Sequence, residues 1–461
     1  MTWLYREGSK KITGVSGSLL FAEARGAGIG EPVTVETDAG ALMGQVLHVE
    51  GALCAVQLFD EMESLARATL WLERGVLEVG VGDGLLGRVL DGRGRPVGEG
   101  VSGRSGGIEK FVSLYGPRIN PAHRTPPGEA IETGLSALDL MSTLMRGQKI
   151  LLLAGAGLPT AELAAHAAVQ ATVRSRENVL VFAGIGIPAR DEALFMDAFE
   201  RGGVMESSVC LLNRAGDSPM ERFLTPRAAL AVAEYFAFEK GRDVFVVVTD
   251  MLNYCDALRD LNRAIYKTPE KEYPARVYSD LAGIYERAGC AADRPGSVTQ
   301  LSVLTLPDDD LSHPAALLSA AVADGQIILD RALHARGVFP PVDIAASLSR
   351  LMNRGIGRGR TFDSHRDLAG QLHAAWAKAM KVKRLPAGSV LSSVERTYID
   401  FADAFECRFL NQRVRETAEL LSVERRTFAQ SEARAWEILS KLPPEELYLL
   451  PSALLERKRW S

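Results

Sequence analysis

What this chain has little of narrows the field before any motif is read. Its 461 residues hold five cysteines, Cys54, Cys210, Cys255, Cys290 and Cys407, odd in number, scattered and nowhere paired as C-x-x-C. That pattern argues against a disulfide framework or a cysteine zinc site and fits a reducing compartment, and no spacing singles out a redox-sensitive thiol. No stretch nears the roughly 18 consecutive apolar residues of a membrane span, so any work at a membrane is expected through docking partners, with no direct insertion. The opening "MTWLYREGSKK" meets charges within its first residues and has no signal-peptide core. Net positive charge is also missing. The formal balance is −5, which leaves no global basic field to draw the chain to nucleic acid or acidic lipid, only room for a local patch. There is no His pair at zincin spacing, no G-x-S-x-G elbow, no low-complexity tract and no internal repeat.

The length alone leads one to expect two or three domains, and what is present divides into three regions. From about Gly14 to Val79, "VTVET" alternates by two, "QVLHVEGALCAVQLFD" follows, and glycines punctuate the segment, which predicts a small barrel or sandwich. The passage "GLLGRVLDGRGRPVGEGVSGRSGG" carries turn chemistry and reads as a linker. Apolar runs then alternate with helical stretches at Ile150 to Leu153, Val179 to Ala183, Val209 to Leu212, Val244 to Val248 and Val298 to Leu304. Such alternation predicts a parallel sheet covered by helices on both faces. Beyond about Gly355 the strand signals stop. "YIDFADAFECRFL" sets Tyr398, Phe401, Ala402, Phe405 and Phe409 on one helical stripe, and a later helix is expected to end before Pro443.

The chemistry centres on "KILLLAGAGLPTAELAAHAA", Lys149 to Ala168, a strand, a small-residue loop and a helix. This is the arrangement that cradles nucleotide phosphates. Laying G-x-x-x-x-G-K-[ST] over it puts Ala154 and Pro159 at the glycines, Thr160 at the lysine and Ala161 at the Mg²⁺-binding hydroxyl. All four defining positions fail, and Pro159 has no N–H to offer. An ordinary strand-to-helix turn and a residual anion cradle at Gly155, Ala156, Gly157 and Leu158 both remain open. "FVVVTD" delivers Asp250 to the end of an apolar strand, where a carboxylate either supports Mg²⁺ or caps the next helix. Asp308 to Asp310 in "LPDDDLSHP" read as a solvated, helix-capping turn or as a metal site, the turn being the better reading, and no metal site is expected.

The order of "LLGRVLDGRGRPVGEG", "PRINPAHRTPPGEAIETGLSALDLMSTLMRGQK", the altered loop, "VTDMLNYCDALRD", "YSDLAGIYERAGC", "GSVTQLSVLTLPDDDLSHP", "GQIILDRALHARGVFPPVD" and "SLSRLMNRGIG" closely resembles the B subunit of the V-type and A-type rotary ATPases, from about Thr13 to at least Gln412. The resemblance implies an N-terminal β-barrel (1–79), a central RecA-like α/β parallel-sheet nucleotide-binding domain with a degenerate P-loop (80–355), and a C-terminal α-helical bundle (356–461). It implies a non-catalytic chain that alternates with catalytic A subunits in a ring of three and three, beside central-stalk rotor and peripheral-stalk subunits, on the cytoplasmic face of a membrane. In the catalytic chains a G-x-G-E-R run carries the glutamate that positions the attacking water. The corresponding "GIGIP" has Ile187 at the glutamate and Pro188 at the arginine, and isoleucine can neither accept a proton nor orient water. "SLSRLM" places Arg350 at the family's arginine finger, reaching in trans into the partner's ATP site. ATP or ADP with Mg²⁺ is then expected at the interface with that partner, and no tightly bound cofactor in this chain alone. The rival readings are a self-sufficient hexameric ATPase, such as a secretion or flagellar-export motor, which would keep the lysine and glutamate that Thr160 and Ile187 replace, and an RNA translocase on the same fold, which would need a basic reading surface.

Overall fold

A computed structural model of the chain describes residues 7–60, 67–97, 107–116, 119–173, 175, 177–266, 273, 275–357, 359–386, 389–413 and 423–459. The first six residues, and residues 98–106 of the glycine-rich passage, lie outside that set.

Period-2 patterning builds the first unit. In Pro32–Thr37 the side chains of Val33 and Val35 are fully buried while their neighbours are not, and this strand joins six others in one antiparallel sheet. Its order runs Glu7–Ser9, Thr69–Leu72, Pro32–Thr37, Gly40–Glu50, Leu53–Leu58, Leu19–Glu23, Ile12–Ser16. Leu20, Val46, Val56, Leu58 and Leu70 fill its interior, as the barrel or sandwich expected from the alternation requires.

The long apolar runs behave differently because both of their faces are covered. All seven residues of Lys149–Gly155 and all nine of Val179–Ile187 are buried, the signature of a central parallel sheet. The sheet order is Leu348–Ser349, Gly325–Ile328, Lys149–Gly155, Ser297–Leu306, Asp243–Thr249, Val179–Ile187, Ser208–Arg214, Arg88–Asp91. Along this path every pairing is parallel except the first, where Leu348–Ser349 runs back against Gly325–Ile328; off the path, Gly289–Ala291 pairs antiparallel with Ser297–Leu306 and with Arg124–Thr125. The strand Arg88–Asp91 corrects the linker reading: its Leu90 is fully buried, so the first part of the glycine-rich passage is an edge strand of the central sheet. Four residues flanked by turn glycines are too short a run for periodicity to reveal.

Helices Thr160–Val173 and Ala189–Arg201 cover one sheet face together with the C-terminal helices, while Glu221–Phe238 lies on the other. Among the described residues beyond Gly355 no strand forms, and the chain folds as helices His365–Lys383, Ser393–Ala404, Phe428–Leu439 and Ser452–Arg459. The aromatic stripe is buried throughout, with Phe405 stacked between Phe401 and Phe409 at centroid separations of 5.7 and 5.0 Å. One π-type turn, Phe405–Leu410, ends that helix. The helix before Pro443 stops at Leu439. No helix among the described residues is long and apolar enough to cross a membrane.

Two buried histidines tie the loop-bearing helix and the C-terminal helices to the segment 133–140. His166 Nε2 lies 3.1 Å from the Thr133 carbonyl, and His365 Nε2 lies 3.1 Å from the Leu140 carbonyl. Burial pushes each down from 6.5 to about 4. The folded state therefore binds fewer protons than the unfolded chain between these values. Stability is fully present above about pH 6.5 and falls as the pH drops towards 4, by about 2 kcal/mol per histidine at pH 5. Asp139, buried in the same segment with its carboxyl pushed up to about 7, works in the opposite direction over this range, so the histidines are read by difference: between pH 7 and pH 5 the urea midpoint of the double variant His166→Gln, His365→Gln is expected to fall less than that of the unaltered chain, and equal falls contradict it.

Candidate functional site

The strand Lys149–Gly155 ends at the carboxyl edge of the sheet, and the loop turns there into helix Thr160–Val173. Ala156 and Gly157 are exposed, and Gly157 adopts a φ of 82°, open to a glycine without strain. The other loop donors are engaged locally. Leu158 N–H donates to the Gly155 carbonyl at 3.2 Å, Thr160 N–H to the Leu158 carbonyl at 2.8 Å, and Pro159 has none. The Thr160 hydroxyl turns back to the same Leu158 carbonyl at 3.4 Å, and Ala161 supplies no hydroxyl at all.

One feature of the loop escaped the sequence. Asp309, on the turn that follows the neighbouring strand, lies against Gly155: a Cβ added there would sit 1.3 Å from Asp309 Oδ1. Arg331 clamps that carboxylate through Nε at 2.6 Å and Nη2 at 2.7 Å, and its Nη2 also donates to the Ala156 carbonyl at 2.8 Å. A carboxylate and its own arginine thus occupy the mouth of the loop. The arginine's hydrogen bonds hold Asp309 below the usual carboxylate range, and the resulting ion pair fills the space beside Gly155. Nothing within Lys149 to Ala168 hints at this pair, because both partners come from more than 140 positions downstream.

Asp250 caps the helix that follows it. Its Oδ1 accepts from Leu252 N–H and its Oδ2 from Thr305 N–H, each at 2.8 Å, so both oxygens are committed to backbone. Burial pushes its pKa up, and these donors pull it back. Asp310 accepts from the Ser312 hydroxyl and N–H, and among the described residues no group of three or more His, Cys, Asp or Glu could hold a metal ion. Ile187 is buried and packs over Gly184. The residues of this loop therefore do not fit catalysis on Mg-ATP: they supply no cation for the β and γ phosphates, no hydroxyl for Mg²⁺ and no base.

Arg350 lies elsewhere. It follows the edge strand Leu348–Ser349, in which Ser349 pairs with Gly325 and Gly325 with Ile150 at the start of the loop strand. Arg350 and the loop are thus at opposite ends of one strand, roughly 16–20 Å apart at the usual strand rise. The side chain is exposed, donates once, from Nη1 to the Ala323 carbonyl at 3.3 Å, and has no carboxylate within ion-pair reach among the described residues. It is a cation presented outward at a sheet edge.

Comparison with known proteins matches these parts in order. The β-barrel domain of the ATP synthase alpha/beta family matches residues 12–70, the nucleotide-binding domain of that family matches 134–349, and the C-terminal domain of V and A type ATP synthase matches 354–459. The chain is 43% identical over 454 residues to the V-type ATP synthase beta chain of an Anaeromyxobacter species, covering 96% of each, and 41% identical over 453 residues to that of Thermus thermophilus, covering 95% of this chain and 92% of the relative. Among solved structures it is similar to the ATP synthase subunit NeqB of Nanoarcheaum equitans, at a TM-score of 0.72 and 29% identity over 92% of this chain and 100% of that one. On full-length identity, on all three domains and on architecture, the chain belongs to the V-type ATP synthase beta-chain family.

Proposed function

We propose that this chain is the non-catalytic member of a rotary ATPase head, and that Arg350 completes the ATP site of a catalytic A subunit in trans. The observation that carries the proposal is the separation of Arg350 from the chain's own loop. An exposed guanidinium at the opposite end of the strand cannot serve a nucleotide held by that loop, whereas it is free to enter a neighbour's site. Phosphoryl transfer spreads negative charge over the γ-phosphate oxygens, and a planar guanidinium bridges two of them with a fixed fork, whereas an ammonium acts as a point charge without that geometry.

In this reading three copies alternate with three catalytic subunits, ATP or ADP and Mg²⁺ sit chiefly in the partner's pocket, and the barrel (1–79), central domain (80–355) and helical domain (356–461) act as units that couple nucleotide turnover to central-stalk rotation. Peripheral-stalk subunits hold the head, on the cytoplasmic face of the membrane, while ion transport proceeds in other chains. Loss of the lysine at Thr160 and of the base at Ile187 weighs against a self-sufficient export motor. The acidic balance gives an RNA translocase no support.

A reconstituted complex carrying Arg350→Lys tests the role. Turnover is expected to fall severely although the charge is kept, because the fork is lost; wild-type turnover in that variant would sink the assignment.

A further inference from the structure

A reach of several ångströms into a neighbouring pocket is only useful if the backbone that launches the side chain is fixed. Arg350 leaves a two-residue strand at the very edge of the sheet, the kind of element that frays. The structure shows what holds it. Gln148, the residue just before the loop strand, is fully buried, and its Nε2 donates to the Ser349 hydroxyl at 3.0 Å and, longer, to the Asp324 carbonyl at 3.4 Å. Its Oε1 accepts from Met145 N–H at 3.0 Å, which fixes the amide's orientation through the neighbouring turn. Asp324 in turn accepts from Arg350 N–H through its carbonyl at 3.0 Å, while its carboxylate accepts from Lys149 N–H at 3.1 Å. Gly325 lets the layers close: a Cβ there would meet the Leu348 carbonyl oxygen at 2.5 Å and Ser349 Cα at 3.1 Å.

We propose that the buried amide of Gln148 is a positioning residue for Arg350, acting through Ser349 and Asp324 to fix the backbone from which the guanidinium reaches its partner's site. The inference rests on the trans role of Arg350 and extends it to a residue 202 positions earlier in the chain. An apolar side chain at 148 takes the partner from the Ser349 hydroxyl and the Met145 N–H and leaves the Asp324 carbonyl with Arg350 N–H alone, so the edge strand keeps its backbone pairing but loses its side-chain tie to the core. Misplacement by about 1 Å at a catalytic group lowers rates by up to about a hundredfold. Because the finger acts on charge that develops only in the transition state, the loss falls on kcat and leaves KM alone.

The test is Mg-ATP turnover by the whole reconstituted complex with Gln148→Met, with the milder Ser349→Ala, and with each combined with Arg350→Ala. Gln148→Met is expected to lower kcat about tenfold to a hundredfold and Ser349→Ala severalfold, both at unchanged KM, and neither to lower the residual rate of the Arg350→Ala complex further. Should Gln148→Met fail to assemble, Ser349→Ala decides by the same criteria. Wild-type kcat in the assembled variants overturns the positioning role while Arg350→Ala still collapses the rate. An equal fractional loss on the Arg350→Ala background also overturns it, since the effect then does not pass through Arg350. Full turnover by Arg350→Ala alone marks instead a failure of the trans reading itself.

Discussion

Arg350→Ala is expected to lower ATP turnover of the reconstituted complex by at least about a hundredfold while the ring still assembles. Arginine fingers contribute about 10³ to 10⁵ in rate, or roughly 4 to 7 kcal/mol of barrier, so even partial compensation by solvent leaves a deficit of two orders of magnitude. Assembly survives because the side chain carries almost nothing in its own chain: it is exposed and loses a single 3.3 Å hydrogen bond to the Ala323 carbonyl. Steady-state phosphate release alongside size-exclusion chromatography separates the two effects. Near-normal turnover in an intact ring contradicts the role, and a ring that falls apart shows the arginine to be an assembly contact.

The second large effect is on stability. Arg287→Ala is expected to destabilise the chain by about 3 to 5 kcal/mol. The guanidinium is 3% exposed and pairs with Glu234 through two hydrogen bonds, at 2.7 Å from Nε and 2.6 Å from Nη2. Nη1 donates to the Leu114 carbonyl at 2.8 Å and to the Arg227 carbonyl at 3.1 Å. One side chain thereby joins helix Glu221–Phe238 to the segment after helix Ala275–Tyr285 and to the chain leaving strand Lys110–Ser113. Truncation strands the Glu234 carboxylate in a site where little water reaches it, and that penalty, more than the lost attraction, sets the size of the effect. Denaturant unfolding gives the number, and a loss under about 1 kcal/mol would mean that water replaces the arginine freely.

The sequence spoke most clearly where one local pattern decided the outcome. Continuous apolar runs such as Ile150 to Leu153 became buried parallel strands, because a run with no polar alternation requires cover on both faces. Tyr398, Phe401, Phe405 and Phe409 went to one buried stripe for the same reason at helical period. The failed loop could be recognised from four positions, since phosphate chemistry tolerates so few residue types there. What stayed hidden involves partners far apart in the chain. Arg88–Asp91 is a strand only because Ser208–Arg214 offers it an edge, and nothing in its glycine-rich surroundings says so. The Asp309–Arg331 clamp over Gly155 and the amide of Gln148 behind Ser349 join side chains that periodicity cannot relate. Asp250 carried two meanings in the sequence, and its bonds to Leu252 N–H at the helix start and to Thr305 N–H on the neighbouring strand could not be read from its own stretch.

The measurement that tests the account most directly is phosphate release from Mg-ATP by the purified chain alone and then with its catalytic partner added. With Thr160, Ala161 and Ile187 in place of lysine, hydroxyl and base, and Asp309 at the loop's mouth, the chain alone is predicted to release none, and turnover to begin only in the mixture. Steady release by the chain alone would contradict the account and require a phosphate-binding route other than this loop.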